Sequence, residues 1–180
     1  MAGTEPNFLT FRDIMAKVGE FLFYWSCLEQ QLTDSIRRAS SSLNHDPPAL
    51  RGGLKERLDL WLELLPHIPD GQGNLHLASE VRDQALALRD VRNLIVHGVH
   101  AGHAAPSEGT AHIRCAIGGY EDPDSETVCY TLDQLEHFTQ GVDACRRAFG
   151  NLNHFNYRVH VPVSSTSRAK FACDSAVNAS

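Results

Sequence analysis

Four segments of the chain place apolar residues three and four positions apart, the spacing that gives an α-helix one apolar face. Stretches rich in proline, glycine, serine and acidic residues separate these segments. The predicted helices cover residues 13–39, 54–65, 75–97 and 131–152. Such helices bury their apolar faces by packing together, so the pattern predicts an all-α fold, an up-and-down four-helix bundle.

Local signals mark the end of the third helix and the start of the fourth. Gly98 follows the last predicted turn of the third helix, and glycine most easily takes the left-handed conformation that ends a helix. Two short alternating segments rich in β-formers, 111–117 and 127–131, then predict a small hairpin before the last helix. Thr131 or Asp133 is the expected N-cap of the fourth helix.

The length of 180 residues fits one domain with a sizeable core. We predict a helical domain over residues 1–152, with the hairpin inserted at about 105–131, and a flexible or weakly attached C-terminal tail, 153–180. The longest apolar stretch, 21–28, has 8 residues, which is too short to cross a membrane. The N-terminus lacks the basic start and apolar run of a secretory signal, so we expect a cytoplasmic protein.

Composition narrows the class of function. The 5 cysteines are scattered and none belongs to a Cys-x-x-Cys pair, so we expect reduced thiols. The net charge of −6 excludes a basic module that binds duplexes by neutralising phosphates, and any contact with nucleic acid must come from a local pocket or a partner. No phosphate-binding glycine loop, nucleophile elbow or zinc-protease motif is present, so no cofactor is expected.

The aromatic residues indicate core packing. Trp25, Trp61 and the phenylalanines stand at helical spacing, which assigns them to the core and not to base stacking. The patch 21–25, together with Phe8, Phe11 and Ile14, holds more apolar surface than one helix face buries. Part of it is therefore a candidate dimer or partner interface, with ordinary burial as the alternative.

The last turns of the third helix carry the residues suited to chemistry. On a helical projection Arg92 falls inside the apolar arc that contains Leu88 and Ile95, whereas Asn93 and His97 stack on an adjacent polar face. A guanidinium in that position needs a charged or multi-acceptor partner. In the first helix, Glu29 is the charge that breaks the apolar stripe.

We therefore predict that the first and third helices pack together with Glu29 near Arg92, where the carboxylate orients the guanidinium from behind. The alternative is a structural ion pair with no part in chemistry, since ion pairs between packed helices are common.

The segment Arg92-Asn93-Leu-Ile-Val-His97-Gly98 resembles the Arg-x4-6-His signature of the HEPN superfamily, the all-helical domain of many prokaryotic toxins, defence nucleases and RNA-processing enzymes. A polar residue directly after the arginine is typical of that family. The first helix, with Glu29 in an apolar setting, is similar to the opening helix of such domains. The resemblance spans roughly residues 10–152.

This resemblance implies a metal-independent endoribonuclease, a hydrolase in a toxin–antitoxin or defence role with RNA as substrate and an antitoxin or other protein as partner. His97 would take a proton from a ribose 2′-hydroxyl or give one to the leaving 5′-oxygen. Arg92 would stabilise the charge that develops on the phosphate, and Asn93 would orient a phosphate or the imidazole. The family usually pairs two protomers through the third and last helices, which implies a homodimer.

Three other side chains, Arg82, Arg89 and His100, project near Asn93 and are candidate substrate-binding residues. The main alternative function is a catalytically inactive HEPN-like module that binds RNA, a nucleotide or a protein, and the net charge of −6 favours it somewhat.

A metal site is the third interpretation, because four histidines are close together in the sequence: His97, His100, His103 and His112. Two glycines interrupt the helix that would align them, and no cysteine or acidic ligand is near. We therefore expect exposed loop histidines and no bound metal.

Overall fold

The computed structural model describes residues 11–43, 52–68, 71–98, 103–104, 112–117 and 127–152. These ranges contain four α-helices and a small antiparallel sheet of strand order β1-β2-β3. The helices are α1 (Phe11–Ser42), α2 (Leu54–Leu64), α3 (Leu75–Gly98) and α4 (Leu132–Asn151), and the strands are β1 (His103–Ala104), β2 (His112–Ala116) and β3 (Thr127–Thr131). The predicted all-α fold with a hairpin before the last helix is confirmed.

Each helix lies within a few residues of its predicted position. α2 ends in a 3-10 turn, Leu65–His67, and a second 3-10 turn, Gly71–Asn74, leads into α3. The two turns pack against each other, which brings the end of α2 beside the start of α3. The predicted tail, 153–180, lies outside the described residues.

The helices contact one another in a ring. α1 packs against α4 and α2, and α3 packs against α4, α2 and β2, whereas α1 and α3 are not among the pairs that pack extensively. The prediction that the first and third helices pack together is therefore wrong. Because α2 and α4 each contact both of the other helices, α1 and α3 occupy diagonal positions.

Contacts at both ends of α4 set its direction. Lys17, near the start of α1, forms an ion pair with Glu136, near the start of α4. Toward the other end, the Ser35 hydroxyl donates to the Phe149 carbonyl oxygen at 2.7 Å. α1 and α4 therefore run parallel, which differs from the strict alternation of an up-and-down bundle.

The core is made of the side chains that the helical spacing assigned to it. Trp61 is fully buried, and its ring meets the ring of Phe149 edge to face with centroids 4.9 Å apart. Trp25 is buried as well. Phe23 is the exception, because 65% of it is exposed, so the assignment of all phenylalanines to the core is wrong at this residue.

The hairpin leads directly into α4. β2 and β3 pair in antiparallel register from His112 opposite Thr131 to Ala116 opposite Thr127. Thr131 is also the N-cap of α4: its hydroxyl accepts from the Gln134 N–H at 3.2 Å, and the Gln134 side chain accepts from the Thr131 N–H at 2.9 Å. This capping box confirms Thr131, and not Asp133, as the cap.

The cysteines depart from the expectation of reduced thiols. Cys129 is disulfide-bonded, so that expectation is wrong for this residue. Cys27, Cys115 and Cys145 are free, and burial raises the pKa of both Cys115 and Cys145 to about 12. Cys173 lies outside the described residues. Disulfides are uncommon in a reducing cytosol, so cysteine usage no longer supports a cytoplasmic location.

Within the described ranges, no helix has the length and hydropathy that a membrane crossing needs.

Gly98 ends α3 for a different reason from the one its sequence position predicts. Among the described glycines the positive φ angle belongs to Gly52, at 109°, and not to Gly98. A Cβ atom on Gly98 would lie 2.8 Å from the Ala116 carbonyl oxygen and 3.3 Å from the Cys115 Cβ. Glycine is needed here because the β2 backbone closes on the end of the helix.

We expect Gly98→Ala to lower the free energy of unfolding by about 1–3 kcal/mol, since the added methyl group displaces β2. Gly73→Ala is the control, because nothing lies within 4 Å of a Cβ there, and a gain of about 0.4–1 kcal/mol is expected. Urea denaturation of both variants measures the difference. Equal stability of Gly98→Ala and wild type would contradict the close approach.

The ion pair between α1 and α4 makes stability depend on pH. The hydrogen bonds that Lys17 donates to Glu136 and Glu20 raise the pKa of Lys17 to about 12, and the Lys17 ammonium lowers the pKa of Glu136. The Glu136 contribution is complete above the ordinary glutamate pKa and is lost as the pH falls through its lower, folded-state value. The Lys17 contribution is complete below its ordinary pKa of 10.5 and is lost as the pH rises through about 12.

Glu136→Gln is therefore expected to be less stable than wild type at pH 7, with a difference that shrinks as the pH falls below the ordinary glutamate pKa and through the lower pKa of folded Glu136. Glu63→Gln, an exposed change on α2, is the control and should show no such convergence. Chemical denaturation across this pH range tests the expectation, and a constant difference would count against it.

Candidate functional site

Arg92 lies half-buried on α3. Two of its neighbours along the helix, Leu88 one turn before it and Ile95 one turn after it, are buried. This agrees with its position inside the apolar arc of the helix. Its Nη1 donates to the Asn93 Oδ1 at 3.2 Å. The guanidinium and the neighbouring amide therefore form one polar unit at the edge of an apolar surface.

The Arg92 guanidinium is incompletely satisfied. Its Nε is buried and has no hydrogen-bond partner, and among the described residues no carboxylate forms an ion pair with it. A buried donor without a partner costs roughly 1–3 kcal/mol, more when the group is charged. An anion or a polar ligand that accepts from this guanidinium would remove that cost.

His97 lies one turn beyond Asn93 on the same face, in the last turn of α3. Its side chain is exposed, as is that of the adjacent Val96, which is 40% exposed. An imidazole that exchanges protons with a substrate needs this access. The contact of Gly98 with Ala116 fixes the end of the helix against β2, and so the backbone that carries His97 is anchored.

Glu29 is not the partner of Arg92. Glu29 accepts a hydrogen bond from the Trp25 Nε1 at 3.1 Å and lies 3.4 Å from the Arg57 Nη2 of α2. Within the described part of the chain no ion pair joins Glu29 to Arg92. The predicted role of Glu29 behind the guanidinium is therefore corrected to a structural pairing with α2.

The positions of these residues along the helix axes explain why Glu29 does not pair with Arg92. Beside the Glu29–Arg57 pair, Asp59 of α2 forms an ion pair with Arg82 of α3 at 2.7 Å. Glu29 therefore lies at the level of Arg82, and Arg92 is ten residues, or about 15 Å, farther along α3. A helical projection gives the face of a residue but not its height against another helix.

Two of the candidate substrate-binding residues already have acidic partners. Arg82 pairs with Asp59 and with Asp83, and its hydrogen bond lowers the pKa of Asp59. Arg89 pairs with Asp90 at 2.9 Å. His100 lies outside the described residues. Arg82 thus links α3 to α2 through an ion pair. The positive charges of Arg82 and Arg89 are partly neutralised by their acidic partners.

Two residues of α2, Arg57 and Asp59, were not predicted from the sequence pattern. They flank the apolar stripe of α2, which includes Leu58 and Trp61, one on each side. Arg57 meets the carboxylate of α1 and Asp59 meets the guanidinium of α3. Opposite charges on the two borders of a short apolar helix were the signal that could have identified this arrangement.

The described residues contain no group of three or more His, Cys, Asp or Glu side chains arranged to hold a metal ion. Of the four clustered histidines, the structure describes the side chains of His97 and His112, the second of them half-buried in β2. His100 lies outside the described residues, as does the side chain of His103.

No protein-family model matches this chain, and neither a curated protein nor a solved structure shows detectable similarity to it. The resemblance to the HEPN superfamily therefore stays a prediction from the sequence pattern.

A double-mutant cycle separates the two pairings of Glu29. Glu29→Gln combined with Arg57→Met should show a coupling energy of a few tenths to about 1 kcal/mol, as expected for a partly exposed ion pair. Glu29→Gln combined with Arg92→Met should be additive, because distant sites do not couple. Thermal or urea unfolding gives both values, and coupling in the second cycle alone would restore the original prediction.

Proposed function

We propose that this protein is a metal-independent endoribonuclease of the HEPN type, with Arg92, Asn93 and His97 as its catalytic residues. The observation that carries the proposal is the half-buried Arg92 guanidinium, which hydrogen-bonds to Asn93 and, within the described ranges, pairs with no carboxylate. Such a guanidinium is available to a phosphate, whose oxygens match its planar donors.

In the proposed reaction the ribose 2′-oxygen attacks the adjacent phosphorus and the bond to the 5′-oxygen breaks. The products are a 2′,3′-cyclic phosphate and a free 5′-hydroxyl. One proton leaves the 2′-hydroxyl and one is added to the 5′-oxygen, and an exposed His97 can do either. Arg92 holds the non-bridging oxygens as their charge grows, and Asn93 fixes the guanidinium by accepting its hydrogen bond.

The family likeness adds a dimer and a setting to the proposal. Two protomers joined through α3 and α4 would bring two Arg92–His97 pairs to one cleft, so that one imidazole removes a proton while the other supplies one. The exposed Val96 beside His97 gives that face of α3 some apolar surface. A toxin or defence role in the cytoplasm, with a neutralising protein partner, belongs to the same proposal.

A binding module without turnover is the second candidate. It is favoured by the acidic partners of Arg82 and Arg89, because they leave α3 without a continuous positive strip through which RNA could be held. In that case Arg92 would bind a phosphate or nucleotide, and His97 would take no part in chemistry.

Cleavage of total RNA in EDTA tests the proposal. Wild type should cut, and His97→Ala should lose about 10²–10⁴-fold in rate. Arg92→Ala should lose about 10²–10³-fold, and Arg92→Lys should recover little because it lacks the planar donors. His76→Ala is the matched control, since it removes an exposed histidine from the first turn of the same helix, 89% exposed at its side chain.

Circular dichroism of every variant shows whether the fold is kept. If no folded protein cuts RNA but nucleotide or RNA binding still depends on Arg92, the binding module is the correct function. If wild type and His97→Ala cut equally well, the proposed chemistry is wrong.

A further inference from the structure

The outward face of α1 lacks charge. Between residues 14 and 36 the exposed residues of this helix are uncharged: Met15, Ala16, Gly19, Phe23, Ser26 and Gln30. The charged residues of the same stretch, Lys17, Glu20, Glu29 and Asp34, are half-buried. A helix face that meets only water ordinarily carries charged residues. Phe23 stands in the middle of this face with 65% of its surface exposed. We call these six residues the α1 outer face.

The α1 outer face has no neighbour among the described elements. α1 meets α4 through Lys17 and Ser35, and it meets α2 through Glu29. Among the described rings, the Phe23 ring has its edge contact with the adjacent Tyr24, at 5.9 Å between centroids. A Cβ on Gly19 would find nothing within 4 Å. The exposed Phe23 ring therefore protrudes from the helix, and one turn earlier Gly19 leaves a depression that a partner's side chain can fill.

Charges border this face symmetrically. Arg12 stands eleven residues before Phe23, and Asp34 stands eleven residues after it. Eleven residues are three helical turns, so all three residues project from the same side of α1. Arg12 is exposed and forms no ion pair with a described residue. Asp34 accepts a hydrogen bond from the Gln30 side chain at 3.0 Å, and its ion-pair partner in the described part of the chain is Arg37, at 3.8 Å.

We infer that the α1 outer face binds the same face of a second copy of this chain, antiparallel, with the twofold axis at Phe23. In that arrangement Arg12 of each copy faces Asp34 of the other, and Ala16 faces Gln30. The pattern is complementary to itself when reversed, which is the requirement of an isologous twofold interface. This inference does not rest on the proposed ribonuclease activity, and it leaves α3 and α4 uncovered.

A charge exchange tests the register. The sedimentation-equilibrium mass of the full-length protein is measured for wild type, Arg12→Asp, Asp34→Arg and the double variant that carries both changes. Each single change places like charges opposite each other and should weaken self-association at least about tenfold. The double variant restores opposite charges and should recover most of the wild-type association.

Phe23→Glu tests the centre, because it sets two carboxylates against each other at the axis, and it should halve the sedimenting mass. Glu63→Arg is the control for a change of charge on an exposed helix position away from this face, and its mass should equal that of wild type. Since all these positions are exposed or half-exposed, circular dichroism should show folded protein throughout.

Three results would overturn the inference. Wild type could sediment as a monomer at several hundred micromolar, which would mean that another segment or another protein covers the α1 outer face. Phe23→Glu and Arg12→Asp could both keep the wild-type mass, which would place self-association on another face. The double variant could remain as weak as the single ones, which would exclude the antiparallel register.

Discussion

The arrangement of this protein depends on the position of α2 between α1 and α3, with an ion pair of opposite polarity at each of its two borders. Arg57 meets Glu29 of α1, and Asp59 meets Arg82 of α3. With ion pairs on both borders of this short helix, α1 and α3 occupy diagonal corners, and the helices that each of them packs against extensively are α2 and α4. The same arrangement removes Glu29 from Arg92, so the charge that breaks the stripe of α1 serves packing.

Because Glu29 is separated from Arg92, Arg92 is not part of a structural ion pair with it. A guanidinium paired with a buried carboxylate would have its hydrogen bonds satisfied within the protein. Arg92 instead donates to an amide oxygen, and its buried Nε has no acceptor. Partly satisfied buried charges are costly, and functional sites are where such costs are commonly retained. The exposed His97, which shares a face of α3 with Asn93, gives the proposed ribonuclease site its second group.

The small sheet does more than connect α3 to α4. It closes on Gly98 at one end, where a Cβ would meet the Ala116 carbonyl oxygen, and it supplies Thr131 as the cap of α4 at the other. The last turn of α3 and the first turn of α4 are thereby fixed to one element. Since the proposed site lies at that end of α3, disturbing the sheet is expected to disturb the site.

The positions of the four helices, the hairpin and the partial burial of Arg92 could all be predicted from the chain, because apolar spacing and capping residues are local properties. The partner of Glu29, the packing reason for Gly98 and the exposure of Phe23 could not, since each depends on which elements become neighbours and at what height they meet. A helical projection orders residues around one axis and carries no information on a second axis. Only the tertiary structure, with α2 between α1 and α3, decided which of the described charges would be paired with a carboxylate and which, like Arg92, would not.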